Sequence, residues 1–258
     1  MEENINMSSL GGQQKADYVI LTDIVDLPSK GAFYKNKKSQ VEVEMMTAKD
    51  EAILLSPNLV KKGEAFNKLI SLKVKGLDGI TPKDLLVCDK NAILMFLRAS
   101  AYGPLYETSI ISPFNNEEFT VSVNITTLKE KELNIYPDVN GHFNYLIGGK
   151  KIVFRLLTSG ELENVVTIVD NKMKQNGGIN YILTEKLVHQ IVSIDGDAEL
   201  INIRNYVDRM RPFEAKELRN YINEVEPGLD MSYNFTCPFT GNDFRSEFTI
   251  LSDFFYPQ

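Results

Sequence analysis

The sequence predicts an α+β fold in which helical layers combine with β-hairpins. Three observations carry this. Apolar and polar residues alternate at 41–45 and 119–125, a period of two that marks half-buried strands. Thr47 and Thr158 stand three residues before Asp50 and Glu161, each pair opening an apolar run as a capping box opens a helix. Gly148-Gly149 joins two strand-like runs, 143–147 and 151–157, as a hairpin turn does.

The elements follow in order. Residues 1–17 are polar and form a flexible N-terminal segment. Residues 27–34, LPSKGAFY, place Pro28 and Gly31 three apart and make a turn. Val41, Val43 and Met45 form a strand; Thr47 then caps a helix that Pro57 interrupts. A second helix is predicted over 58–72, with Gly63 weakening it. Thr81-Pro82-Lys83-Asp84 reads as a helix start, and Asp89 as a fresh cap for a nearly all-apolar helix through Arg98. Tyr102-Gly103-Pro104 ends it. Residues 106–125 and 143–157 are β, and a helix from Thr158 stops at Gly177-Gly178. Residues 181–194 favour helix, Asp195-Gly196 is a turn, and 197–210 and 212–225 are helices. A final hairpin and the aromatic run Phe254-Phe255-Tyr256 close the chain. The parts are 1–17, an α+β part 18–157 and a helical part 158–258, forming one composite domain or two.

The 258 residues carry 28 Lys plus Arg against 35 Asp plus Glu, a net charge of −7. That surplus argues against nucleic acid as a partner, since neutralising phosphates takes a basic face. Apolar runs such as 93–97 are too short for a membrane span, and the acidic, amide-rich start is unlike a secretory signal, so a soluble cytosolic protein is expected. Two cysteines and two histidines give no disulfide framework and no multi-histidine metal site.

A repeat stands out. Residues 111–119, ISPFNNEEF, and 236–244, TCPFTGNDF, share a pattern at a constant offset of 125. Both resemble the Cys-Pro knuckle of a zinc ribbon, in which two such turns supply four thiolates. Here Ser112, Asn115 and Thr240 occupy three of those positions and Cys237 alone keeps its sulfur, so two related knuckle turns without a zinc site are expected. Pro113, Phe119, Pro238, Gly241 and Phe244 are their structural residues, and the two knuckles are candidates to pair.

With these residues in view, the chain resembles the baseplate hub proteins of T-even-type contractile-tailed phages, including their hub-assembly chaperones. The shared blocks are LPSKG-x-FY at 27–34, MTAKDE at 46–51, R-x-x-x-Y-G-x-x-Y at 98–106, and then the two knuckles and the aromatic end. The resemblance covers roughly residues 20–258 and implies a structural or assembly role in the tail hub rather than an enzyme. It implies hub and central spike proteins as partners, with self-association open, no cofactor, and a place in the host cytoplasm during assembly and in the virion tail baseplate.

The remaining motifs are weighed against blander uses. Gly148-Gly149-Lys150-Lys151 runs into a strand, so it is a β-turn rather than a phosphate loop. His189 lies on an apolar helix face without a nucleophile motif. The acidic pairs Glu117/Glu118, Asp195/Asp197 and Glu224/Glu226 support only a weak hydrolase alternative. Arg98 needs a partner if buried, and Asp50 or Glu51 are the candidates, with Tyr102 and Gly103 bracing the same corner. Phe33 and Tyr34, beside Lys30, are candidate partner anchors. Phe254, Phe255 and Tyr256 either dock in cis, which is favoured, or reach a neighbour.

Overall fold

In the computed structural model, residues 21–61, 63–131, 133–248 and 254–255 are described, so the expected flexible segment 1–17 and Tyr256 lie outside them. The first strands are β1 (Thr22–Asp26) and β2 (Gln40–Glu44), antiparallel with Val25 opposite Val41. Val41 and Val43 are buried, as the alternation predicts, while Glu42 and Glu44 are half-buried and Met45 falls beyond the strand's end. Helix α1 (Ala48–Leu54) opens at Thr47, whose amide and hydroxyl both donate to Asp50 Oδ2, at 2.8 and 2.9 Å.

The helix predicted over 58–72 is two helices, α2 (Pro57–Lys61) and α3 (Ala65–Lys73). Gly63 takes φ +69°, its amide returns to Val60 O and the Glu64 amide to Leu59 O. That is a Schellman closure, and it ends α2. Strand β3 (Val74–Lys75) then completes a sheet of order β1-β2-β3.

The start predicted at Thr81 is a capped turn, not a helix. Thr81 does bond Asp84 Oδ2 through amide and hydroxyl. Yet the carbonyls of Lys83 and Leu85 accept from Gly160 N and Ser159 N, and Leu86 pairs with Thr158. Acceptors that a helix would use internally are committed to a distant segment. Helix α4 (Val87–Tyr102) therefore begins later, and Asp89 lies inside its first turn rather than capping it. The helix buries Ile93, Leu94, Met95 and Leu97, as its apolar circumference requires.

The hairpins are β4 (Leu105–Ile111) with β5 (Glu118–Asn124), and β6 (His142–Ile147) with β7 (Lys150–Arg155). Between β6 and β7, Gly148 and Gly149 both have positive φ, which a tight two-residue turn demands. Helix α5 (Ser159–Gln175) carries the expected capping box at Thr158. The helix favoured over 181–194 splits into α6 (Ile182–Gln190) and β8 (Ile191–Ile194), because the last four residues pair with β7. Helices α7 (Leu200–Arg209) and α8 (Pro212–Val225) follow, α7 starting three residues later than predicted. The second knuckle hairpin is β9 (Ser232–Thr236) with β10 (Asp243–Glu247).

One buried apolar cluster draws on residues from Val25 to Phe255, with α4, β2, β7, α8 and both knuckle hairpins contributing. Most of the buried charge is ion-paired. Glu185 takes Lys172 at 2.6 Å and Arg204 at 2.5 Å, binding α5, α6 and α7 together. Lys90 reaches Asn67 at 2.7 Å and Glu163 at 3.0 Å.

Candidate interaction surface

Three regions were expected to matter: the 27–34 loop, the aromatic end and the knuckles. The loop folds inward. Pro28 and Gly31 are buried, and Gly31 takes φ +74° with its α-carbon against the Lys37 carbonyl, where a side chain has no room. The Tyr34 hydroxyl donates to Asp89 Oδ2 at 2.6 Å and accepts from Leu86 N at 2.9 Å. Ser29 N donates to the other Asp89 oxygen at 2.9 Å. Burial pushes the Asp89 carboxyl up, against the hydrogen bonds from Ser29 and Tyr34 that favour its charge.

The expectation that Tyr34 anchors a partner is therefore corrected: its ring is buried and its hydroxyl is consumed inside the chain. Phe33 is half-buried against Phe143, with ring centres 6.0 Å apart. Lys30 is exposed and paired with Glu130 at 2.5 Å.

The expected Arg98 ion pair is also corrected. Asp50 is taken by Lys73 at 2.8 Å, and Glu51 accepts from the Tyr102 hydroxyl at 2.8 Å. Arg98 instead donates through Nε to the Phe254 carbonyl at 2.8 Å, and its terminal nitrogens approach the carbonyls of Gly103 and Leu105. Its guanidinium lies 4.9 Å from the Tyr102 ring centre. Phe254 and Phe255 are fully buried against Tyr106 and Phe66, so these two rings dock in cis. Sequence spacing could not reveal a partner 156 residues away that is a main-chain oxygen.

The knuckles do come together. Ser112 Oγ lies 3.3 Å from Cys237 Sγ, both fully buried. Their internal bonds repeat at the 125-residue offset. Ser112 N to Glu117 O matches Cys237 N to Asn242 O, each 2.9 Å, and Asn116 N to Ser112 O matches Gly241 N to Cys237 O. Asn116 and Gly241 both have positive φ, so the two turns share one backbone shape. The ring contacts cross between the hairpins. Phe114 meets Phe244 edge-on at 5.9 Å, and Phe239 meets Phe119 edge-on at 6.1 Å. Pro113 and Pro238 are exposed beside them.

Burial raises the Cys237 thiol, but bonds from Ser112, Thr240 and the amides of Phe239 and Thr240 outweigh it and bring it to about 7. The four ligand-like positions hold one thiol, two hydroxyls and an amide. Asn115 is turned to Glu117, which its side chain meets at 3.0 Å. With one thiol, this donor set falls short of the four Cys or His ligands of structural zinc. Among the described residues no cluster of three metal-ligating side chains is found.

The acids of the hydrolase alternative at 195 and 197 serve the backbone. Asp195 is paired with Lys150 at 2.7 Å and accepts from Lys151 N, which hold it below the usual carboxylate range. Asp197 accepts from Glu199 N and from the Asn202 side chain.

The family model for the T4 bacteriophage base plate protein matches residues 22–256. The chain belongs to that family. It is a structural protein of the phage baseplate, working beside other baseplate proteins. The matched stretch runs from β1 to the docked aromatic end, so it takes in both knuckles and the 27–34 loop. No curated protein and no solved structure matches the chain. Among the described residues, no helix of this baseplate protein is long and apolar enough to cross a membrane.

Proposed function

We propose that this baseplate protein acts in the tail hub, where it promotes assembly of hub and central spike proteins through protein–protein contact and without catalysis. One observation carries the hub assignment. The blocks at 27–34, 46–51, 98–106 and the two knuckles occur in the order found in hub proteins and hub-assembly chaperones, within the stretch that the family match spans. The structure supports a scaffold role in a specific way. The buried charges of Asp89, Arg98 and Glu185 are each committed to holding elements together.

The test is recovery of the tagged chain from phage-infected cells. Co-recovery of hub and central spike components is expected. Recovery with peripheral baseplate components only would overturn the hub assignment. Probing purified mature particles for the chain separates a permanent subunit, which is present, from an assembly chaperone, which is absent.

A further inference from the structure

Phe114 and Phe239 lie at the tips of the paired knuckles and are 48% and 54% exposed. Exposed rings are usually free to rotate. Here Phe114 rests edge-on against Phe244 and Phe239 edge-on against Phe119, each held by the opposite hairpin. The supporting pair, Phe119 and Phe244, touch each other at 6.2 Å over the buried Ser112–Cys237 contact. Two aromatic side chains are thus presented in fixed positions, and less rotamer freedom is left to lose on binding.

The charge of the two hairpins is mainly acidic, with Glu117, Glu118 and Asp243 nearest the turns. The two hairpins expose Glu107, Glu117, Glu118, Asp243 and Glu247, and no lysine lies within them. Their single arginine, Arg245, is already paired with Asp230 at 2.6 Å.

We propose that the paired knuckles are a docking surface on which Phe114 and Phe239 enter apolar pockets on a positively charged face of another baseplate polypeptide. The acidic rim steers such a face and opposes the alternatives. A second copy would bring like-charged rims together on chains of net charge −7. The chain's own first twenty residues hold Glu2, Glu3 and Asp17 against Lys15, so they are acidic too. This inference rests on the reading that the protein works through contacts during baseplate assembly.

The experiment places a photo-crosslinking phenylalanine analogue at position 114 or 239 of the full chain in infected cells, with Val139, 97% exposed, as the control position. Crosslinks from both 114 and 239 are expected to reach one other baseplate polypeptide, within a segment rich in Lys and Arg, and none from 139. Crosslinks to a second copy, to residues 1–20 of the same chain, or to nothing would overturn the proposal. In parallel, F114S/F239S is expected to lower the yield of infectious particles at least tenfold with an unchanged thermal melt. If that variant folds poorly, E117K/E118K, exposed at both positions, replaces it with the same expected loss. A full yield from a folded variant overturns this surface alone. A full yield from cells lacking the gene overturns the assembly role itself.

Discussion

The Tyr34 hydroxyl lies 2.6 Å from Oδ2 of Asp89, and this contact helps tie the 27–34 loop to the first turn of the central helix. Asp89 has Ser29 N on its other oxygen, and Leu86 N donates to the same Tyr34 hydroxyl. The loop is thereby a brace for the core.

Tyr34→Phe removes one oxygen and takes the Tyr34 partner from two buried groups, Oδ2 of Asp89 and the amide of Leu86. A destabilisation of about 2–3 kcal/mol is expected from leaving such groups without partners, read as a lower urea midpoint at unchanged slope. A change within experimental error would contradict the brace.

Arg98 holds the chain end through the Phe254 carbonyl, not through an acid. Arg98→Met keeps the aliphatic bulk and deletes the donors, with an expected loss of roughly 2 kcal/mol for a charged hydrogen bond. Faster amide exchange at residues 254–255 accompanies it. The charge-swap pairs R98E/E51R and R98E/D50R are expected to fall below R98E alone, because Glu51 holds Tyr102 and Asp50 holds Lys73. Rescue by either swap would restore the ion pair that the sequence suggests.

Glu185 contributes to acid stability. Bonds from Arg204 and Lys172, opposed by burial, lower its carboxyl to about 2. A folded-state pKa below the unfolded value means that the native state holds fewer protons in between, so the stabilisation is present above about pH 5 and fades as pH falls towards 2. The shift corresponds to about 3 kcal/mol at 1.36 kcal/mol per unit. In E185Q, the stability profile between pH 5 and 2 is expected to be flatter than in the wild type. Parallel slopes would contradict the role given to this carboxylate.

Several features could be read from the sequence because their causes are local. The capping boxes at Thr47 and Thr158, the alternation at 41–43 and the Gly148-Gly149 turn each depend on residues a few positions apart, and each forms as expected. The knuckle repeat was legible for a different reason, since its two halves share residues at one offset.

What escaped depends on distant partners. Asp89 has the residue type of a helix cap, and nothing in its neighbourhood says that a tyrosine 55 positions earlier consumes it. Thr81 has every local mark of a helix start, but the carbonyls after it go to Ser159 and Gly160. Ile191–Ile194 leaves the helix because β7 offers an edge. At the knuckles, the aromatic and proline pattern was visible, whereas the crossing of Phe114 to Phe244 and Phe239 to Phe119 needed three dimensions.

The apposition of the knuckles is tested most directly by Ser112→Cys, folded in an oxidising glutathione buffer. Its new sulfur would face Cys237 across a gap now spanned by the 3.3 Å Oγ–Sγ contact, while Cys88 lies elsewhere in α4. The expected result is an intramolecular 112–237 disulfide on mass mapping, one remaining thiol per chain after denaturation, and a raised unfolding midpoint, since a closed loop of this length restricts the unfolded chain strongly. Three free thiols per monomer, or disulfides formed only between chains, would contradict the paired knuckles and the surface built on them.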